Sequence, residues 1–252
     1  MEDFLIKLAD RDIAVSCCHR ETKAFCRDYL VPAPESGDKP DITVCVSPRH
    51  LERERKEAER EYGAQAAAFS DAYLETLAVY RQIAAQMPQF HTILFHGSVI
   101  AVDGEAYLFT APSGTGKSTH TRLWRERFGP RAFMVNDDKP LLALQEDGQV
   151  IAYGTPWDGK HKLSRNTGVP LKGICILSRG EKNAIARITK EEAFGTVYQQ
   201  TYRPTENPQV IRQTLEILDG VMQVPLWHLA CTISKEAVQV AYNAMSLRRE
   251  QE

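Results

Sequence analysis

The stretch Ala111-Pro112-Ser113-Gly114-Thr115-Gly116-Lys117-Ser118-Thr119 follows the phosphate-cradling pattern G-x-x-x-x-G-K-[ST], with Ala111 where the first glycine is usual. Just before it, Ala106-Tyr107-Leu108-Phe109-Thr110 is a short run of strand formers that follows a turn at Asp103-Gly104. Just after it, residues 118–127 contain no Gly or Pro and read as a helix. Strand, glycine loop and helix in that order are the context the pattern requires. Gly114 and Gly116 let the backbone turn so that successive N–H groups point inward, forming an anion nest at the helix start. The helix N-terminus adds partial positive charge. Residues Ser113, Gly114, Thr115, Gly116, Lys117, Ser118 and Thr119 are therefore the expected nucleotide contacts. Lys117 brings a mobile charge to the β- and γ-phosphates, and the Ser118 hydroxyl is placed to ligate Mg²⁺.

The rest of the composition is ordinary. At 252 residues, 43% apolar and 25% charged, the chain is long enough for one large domain or a main domain with an appendage. A formal charge of −2 gives no support to a nucleic-acid or membrane role. No apolar run approaches the ~20 residues of a membrane-spanning helix. Met1-Glu2-Asp3 lacks a basic n-region, so a cytoplasmic location is expected. The six cysteines form no C-x-x-C pair, and reduced, mostly buried thiols are expected.

Upstream of the loop, residues 1–48 read as short strands at 4–6, 13–15 and 41–46. A short helix is expected at 22–30 and a loop at 32–40. The mixed charge run at 49–60 is read as a solvated segment with i,i+4 ion pairs in preference to a docking surface. Phe69, Tyr73, Leu77, Tyr80 and Ile83 recur at helical spacing and predict an amphipathic helix over 67–87, with its aromatics in the core. A strand region at 92–102 is interrupted at His96-Gly97, and its second half forms a hairpin with 106–110.

Downstream, Ala132-Phe133-Met134-Val135-Asn136-Asp137-Asp138 is a strand ending in two carboxylates, about 20 residues past the loop, where a metal-positioning acid is usual. A hairpin at 141–153, a polar loop at 154–162 and a buried strand at 171–177 follow. Helices are expected at 190–202 and 209–222, a loop at 203–208, a last strand at 225–231, and a helix from the Ser234 cap to about 247.

Phosphoryl transfer needs a cradle, a divalent metal, a group to accept the acceptor's proton, and cations around the developing charge. If the strand runs to its end, Asp137 and Asp138 point to opposite faces, one for the metal and one for the proton. Asp138 is assigned to Mg²⁺ and Asp137 to the base, with the exchange left open. Lys160, Lys162 and Arg165 read as either an anion-binding lid or ordinary surface charge, and Arg203 as a weaker candidate of the same kind. Trp157 is either a stacking surface for a base or a buried anchor.

The order His96-Gly97, hairpin, Pro112-Ser113-Gly114-Thr115-Gly116-Lys117-Ser118, Val135-Asn136-Asp137-Asp138 resembles the catalytic core of HPr kinase/phosphorylase, related in fold to phosphoenolpyruvate carboxykinase. The resemblance covers residues 91–142 and, more loosely, the rest of the chain. It implies that His96 is an active-site residue, that Lys117 and Ser118 serve nucleotide and metal, and that the acid pair holds base and metal roles. The family's second signature, an Arg-Gly-Leu-Gly-Ile-like stretch, has no counterpart here, so neither phosphorolysis nor HPr as acceptor is implied. The loop at 154–160 and the ending at 224–229 are similar instead to divergent members that phosphorylate a serine of a peptide, or free serine.

The resulting expectation is an α/β fold with a P-loop core and mixed β-sheets of the HPr kinase and phosphoenolpyruvate carboxykinase type over 89–252, plus a small N-terminal α+β segment over 1–88. The expected activity is a Mg²⁺-dependent kinase whose phosphoryl donor is ATP, with another donor (ADP or pyrophosphate) left open. Its acceptor is a hydroxyl, foremost serine, of a protein, a peptide or a small molecule. A homo-oligomer is implied by the resemblance alone. The rivals are a nucleotide-binding switch without transferase activity and a carboxykinase-type enzyme.

Overall fold

Ala9 and Asp10 both take positive φ, 48° and 61°. They reverse the chain between β1 (Glu2–Leu8) and β2 (Arg11–Cys17), which pair antiparallel. Ile6, Leu8, Ile13, Val15 and Cys17 are buried from one face of this hairpin, as period-two alternation requires. After α1 (Arg20–Phe25), β3 (Leu30–Val31) joins β1 and β4 (Ile42–Cys45) runs parallel to β2, giving the order β3-β1-β2-β4. α2 (Pro48–Tyr62) and α3 (Asp71–Gln86) complete a first unit, Met1–Met87. The structure is a computed structural model that describes residues 1–32, 39–204 and 207–247. Parts of the expected loops at 32–40 and 203–208 lie outside the described residues.

Several expectations for this unit change. The helix expected from 67 begins at Asp71, because the Ser70 hydroxyl caps it by accepting from the Tyr73 amide and residues 63–68 wind as 3-10 helix. Tyr73 is 45% exposed rather than in the core. The charge run is helical and carries the expected Lys56–Glu52 pair. Its Glu54, however, is buried and held by Arg81 of α3 at 2.8 Å. The helix expected over 22–30 stops at Phe25, and a 3-10 turn leads into β3. Cys17, Cys26 and Cys175 are buried as expected, but Cys18 and Cys45 are exposed. Cys45 falls on the outward face of β4.

The second unit, Pro88–Glu252, is built on a long mixed sheet. Its elements are β5 (Thr92–Leu94), β6 (Ser98–Val102), β7 (Glu105–Thr110), α4 (Lys117–Phe128), β8 (Ala132–Asn136), β9 (Leu141–Leu144), β10 (Val150–Tyr153), β11 (Gly168–Arg179), β12 (Ala184–Arg187), α5 (Lys190–Gln200), α6 (Pro208–Val221), β13 (Leu226–Cys231) and α7 (Lys235–Met245). The order is β5-β9-β10-β11-β7-β6-β8, with β13 also beside β11 and β12 beside β13.

Two features position the site. The hairpin expected before the glycine loop is β6–β7, and β8 adds antiparallel to its outer side. β11, at 12 residues, has two partnerships: its start pairs antiparallel with β10, and its end runs parallel to β7 and β13. The break at His96-Gly97 does more than interrupt a strand. It sends β5 to β9 and β6 to β7.

The core under the loop is aromatic. Trp124 of α4 is fully buried, with Tyr107 and Phe109 of β7 at 5.0 and 5.2 Å between ring centres and Tyr242 of α7 at 5.8 Å. Its indole N–H donates to His120 Nε2 at 2.9 Å. Among the described residues no helix is long and apolar enough to cross a membrane.

Candidate active site

β7 ends at Thr110 and α4 begins at Lys117, and the loop between them has the backbone its glycines permit. Gly114 sits at φ +77° and Gly116 at +122°, conformations that a side chain strains. The Thr115 amide and hydroxyl both donate to the Pro112 carbonyl, at 3.3 and 2.9 Å. Gly116 caps α4, so the unpaired first-turn N–H groups face the mouth of the loop. Lys117 is buried and its ammonium donates to the Ala111 carbonyl at 3.0 Å. Ala111 is itself fully buried, which is why a small residue suffices there.

The acid pair is set by Asn136. β8 stops at this residue rather than at Asp138, so simple alternation does not orient the two carboxylates. Asn136 is fully buried, and its Oδ1 accepts from the amides of Asp138 and Lys139 at 2.8 and 2.7 Å. Its Nδ2 donates to the carbonyl and hydroxyl of Thr155, both at 3.1 Å. The result is an Asx turn that sends the two acids to different partners.

Asp137 is buried and accepts from the Ser98 hydroxyl on β6. It is also hydrogen-bonded to Ser118 of the loop, and His161 lies near it. Burial pushes its carboxyl above the ordinary range, against the pull of the two serine hydroxyls.

Asp138 is half-buried, with Oδ1 3.3 Å from His96 Nε2 and 3.6 Å from Lys139 Nζ. His96 is stitched into place on its backbone: its amide donates to Gln200 O at 2.8 Å, and its carbonyl accepts from the Thr110 hydroxyl at 3.1 Å. The next amide, Gly97, donates to the Asp138 carbonyl at 3.1 Å. Burial, reinforced by Lys139 and Lys117, pushes the imidazole down to about 4, although Asp138 and Gln200 oppose the shift. The ring is neutral at neutral pH.

The segment 154–165 lies against the acids. Gly159 packs on Asp138, where an added Cβ would stand 3.6 Å from the Asp138 Cβ. Lys160 is exposed on this segment. Lys162 pairs with Asp158 at 3.1 Å and donates to the Pro156 carbonyl at 3.5 Å. Arg165 lies 4.5 Å over the Phe133 ring. Arg203 lies 4.1 Å over Tyr198 and donates to the carbonyls of Tyr198 and Thr201. The contacts of Arg165 and Arg203 are thus with protein rings and carbonyls. Trp157 is buried, the anchor of the two readings.

Four residues escaped the sequence reading. Lys139 is a cation beside Asp138, His161 lies beside Asp137, and Asn136 is the residue that turns the two acids. Arg179, at the end of β11, donates to the Gly114 carbonyl at 2.9 Å and braces the loop. Asn immediately before two acids was a legible Asx-turn signal. Arg179 carried none, because a parallel strand brings it in from 65 positions away.

Among the described residues no three His, Cys, Asp or Glu side chains converge as a self-sufficient metal site. The hard-oxygen pair Ser118 and Asp137 fits instead a Mg²⁺ that takes its remaining ligands from phosphate and water.

A family model described as SynChlorMet cassette protein ScmC matches residues 69–238. No curated protein matches the chain. Among solved structures, the Hpr(Ser) kinase/phosphatase from Coxiella burnetii is similar at 13% identity and a TM-score of 0.37, over 60% of this chain and 95% of that one. A likeness of that degree carries no argument about this chain.

Proposed function

The chain belongs to the ScmC family, and we propose that it is a Mg²⁺-dependent kinase that moves the γ-phosphoryl group of ATP to a hydroxyl, foremost a serine, of a protein, a peptide or a small molecule. One observation carries this reading: beside a phosphate loop, Ser118 is bonded to Asp137 while Asp138 stands 3.3 Å from a neutral His96. A nucleotide-binding switch needs the first arrangement and has no use for the second. The motif resemblance of residues 91–142 to the HPr kinase core supports the same reading. So does the hairpin β6–β7 leading into the loop, in favour of a P-loop core of the HPr kinase and phosphoenolpyruvate carboxykinase type.

The residues divide the work. The loop amides and Lys117 hold the β- and γ-phosphates. Ser118 and Asp137 are the protein ligands for Mg²⁺, which when bound neutralises phosphate charge. Asp138, oriented by His96 and Lys139, accepts the proton of the acceptor hydroxyl. As that oxygen bonds to the γ-phosphorus, the bond from phosphorus to the β–γ bridging oxygen breaks, and ADP leaves with the electron pair. Lys160 adds charge from the segment above the acids. This is the exchanged assignment of the acid pair, taken because the Ser118 hydrogen bond goes to Asp137.

The test is transfer of labelled γ-phosphate from ATP to serine peptides and to free serine by the purified protein, with Mg²⁺. Transfer that is lost in both Lys117→Ala and Asp138→Asn is expected. ATP binding without transfer to any acceptor would leave the switch standing and reject the kinase.

A further inference from the structure

A pocket of about 370 Å³ opens beside the phosphate loop, on the flank away from the acids. Sheet order defines the two flanks. β7 carries the loop; β6 and β8 on one side supply Ser98 and lead to Asp137, and β11 and β13 on the other side end at Arg179 and Cys231. The pocket shares Gly116 and Thr119 with the loop and is walled by Leu123, Leu177, Arg179 and Ile233. Thr119 and Leu123 are i,i+4 neighbours on α4, so one stripe of that helix faces the pocket. His96, Ser98, Asp137 and Asp138 do not line it.

We infer that this pocket takes the nucleoside of the phosphoryl donor, a purine nucleoside triphosphate whose chain of phosphates crosses the loop from β11 toward Asp137. The inference rests on the kinase reading above and adds the half of the donor site that the loop pattern does not describe. Three observations carry it.

The first is polarity of placement. With the γ-phosphate end fixed by Lys117, Ser118 and Asp137, the nucleoside belongs at the opposite end of the loop, and the pocket is contiguous with the loop there. The volume is within the ~300–1,000 Å³ usual for small-molecule sites.

The second is chemistry. Leu123 and Leu177 are buried aliphatic walls. Ile233, by contrast, is 79% exposed at the rim, and a large aliphatic group held in water gains free energy when a flat ring covers it. The Arg179 guanidinium, already donating to Gly114, stands where the loop meets the pocket.

The third is preorganisation. Ile233 is not on a loose tip. The Thr232 amide donates to Asn183 Oδ1 at 2.9 Å, and the Thr232 hydroxyl donates to Ser234 Oγ at 3.0 Å. Ser234 in turn caps α7 by accepting from the Ala237 amide at 3.2 Å. A rim held this way loses little entropy on binding. Leu123, Leu177 and Ile233 cover a base without directional hydrogen bonds, so on these three side chains adenine and guanine should be held almost equally well.

The experiment is calorimetric titration of the full chain with ATP, GTP and inorganic tripolyphosphate, each with Mg²⁺, for wild type and Ile233→Asp. Since Ile233 is exposed, the variant should keep its fold, and its melting temperature checks this. Expected are ATP affinity weakened about tenfold or more in the variant, equivalent to ~1.4 kcal/mol, tripolyphosphate affinity unchanged, and GTP close to ATP in wild type. Equal ATP affinity in wild type and variant overturns the pocket assignment. So does tripolyphosphate binding wild type as tightly as ATP; in either case the phosphate loop reading stands. If no ligand binds at all, both readings fail together.

Discussion

His96 Nε2 lies 3.3 Å from Asp138 Oδ1, a contact between the residue that separates β5 from β6 and one that follows β8. The neighbouring acid makes no such contact in its described hydrogen bonds; Asp137 is bonded to Ser98 and Ser118. Two carboxylates adjacent in sequence are therefore served by different chemistry, an imidazole for one and hydroxyls for the other. The difference gives each acid its own experimental signature.

Asp138→Asn should lower kcat by roughly 10²–10⁴-fold with little change in KM for ATP, because the group acts on the acceptor's proton. Asp137→Asn should instead raise the Mg²⁺ concentration needed for half-maximal rate. Initial rates over a Mg²⁺ titration separate the two. Identical Mg²⁺ dependence in both variants would sink the division of roles.

Asn136→Ala tests the turn that parts the acids. The substitution strips from the Asp138 amide the acceptor that Asn136 Oδ1 provides at 2.8 Å, and takes from the Lys139 amide a bond of 2.7 Å while leaving it the Trp157 carbonyl at 3.1 Å. A buried donor left unsatisfied costs about 1–3 kcal/mol, so the melting temperature should fall. The rate of transfer should fall further than stability alone explains, while nucleotide affinity holds, since the loop is untouched. Unchanged kcat with a lowered melting temperature would reduce Asn136 to a purely structural residue.

The sequence carried the loop, the hairpin before it and the acid pair because each has a local cause: glycine conformations, the Asp103-Gly104 turn, and an apolar run that ends in charge. The capped start of α7 was legible for the same reason, through Ser234. What escaped depends on distant pairing. β12 is mostly exposed along its four residues, and only its ladder with β13 makes it a strand. Arg165 read as either an anion ligand or ordinary surface charge, and its guanidinium lies over Phe133, a partner that spacing does not reveal. The direction of each carboxylate was also out of reach, because the strand ends at Asn136 and alternation ends with it.

Gly154 should be intolerant of even one methyl group. A Cβ there would stand 2.0 Å from the Arg165 carbonyl oxygen and 2.7 Å from that of Val135. Both neighbours are backbone, so relief requires moving the segment 154–165 that covers the acids. Gly154→Ala should cost about 1–3 kcal/mol, in the range of overpacking, and should reduce transfer. Gly195→Ala, inside α5 with nothing within 4 Å of the added carbon, should instead raise stability by roughly 0.5–1 kcal/mol. Thermal melts of both variants decide it. A Gly154→Ala protein as stable and active as wild type would mean that the two segments do not pack this closely.

Glu75 should make the first unit acid-sensitive. Its side chain is fully buried on α3 and accepts from the Cys18 amide at 2.7 Å, the His19 amide at 2.9 Å and the Thr22 hydroxyl at 2.6 Å. Burial alone raises its carboxyl, but these bonds and the His19 ring outweigh it, so it titrates below its ordinary value of 4.5. A carboxyl lowered by folding stabilises the fold above the unfolded value, and that contribution is lost as pH falls through the lower folded value. Hydrogen exchange at the Cys18 and His19 amides should therefore accelerate as the pH drops below about 4.5, beyond the intrinsic dependence of exchange on pH. Glu75→Gln should expose the same amides already at pH 7, because a neutral amide is a weaker acceptor, and should show a shallower loss on acidification. Equal protection of both amides in the two proteins across that range would show that the carboxylate charge contributes nothing to holding α1 and α3 together.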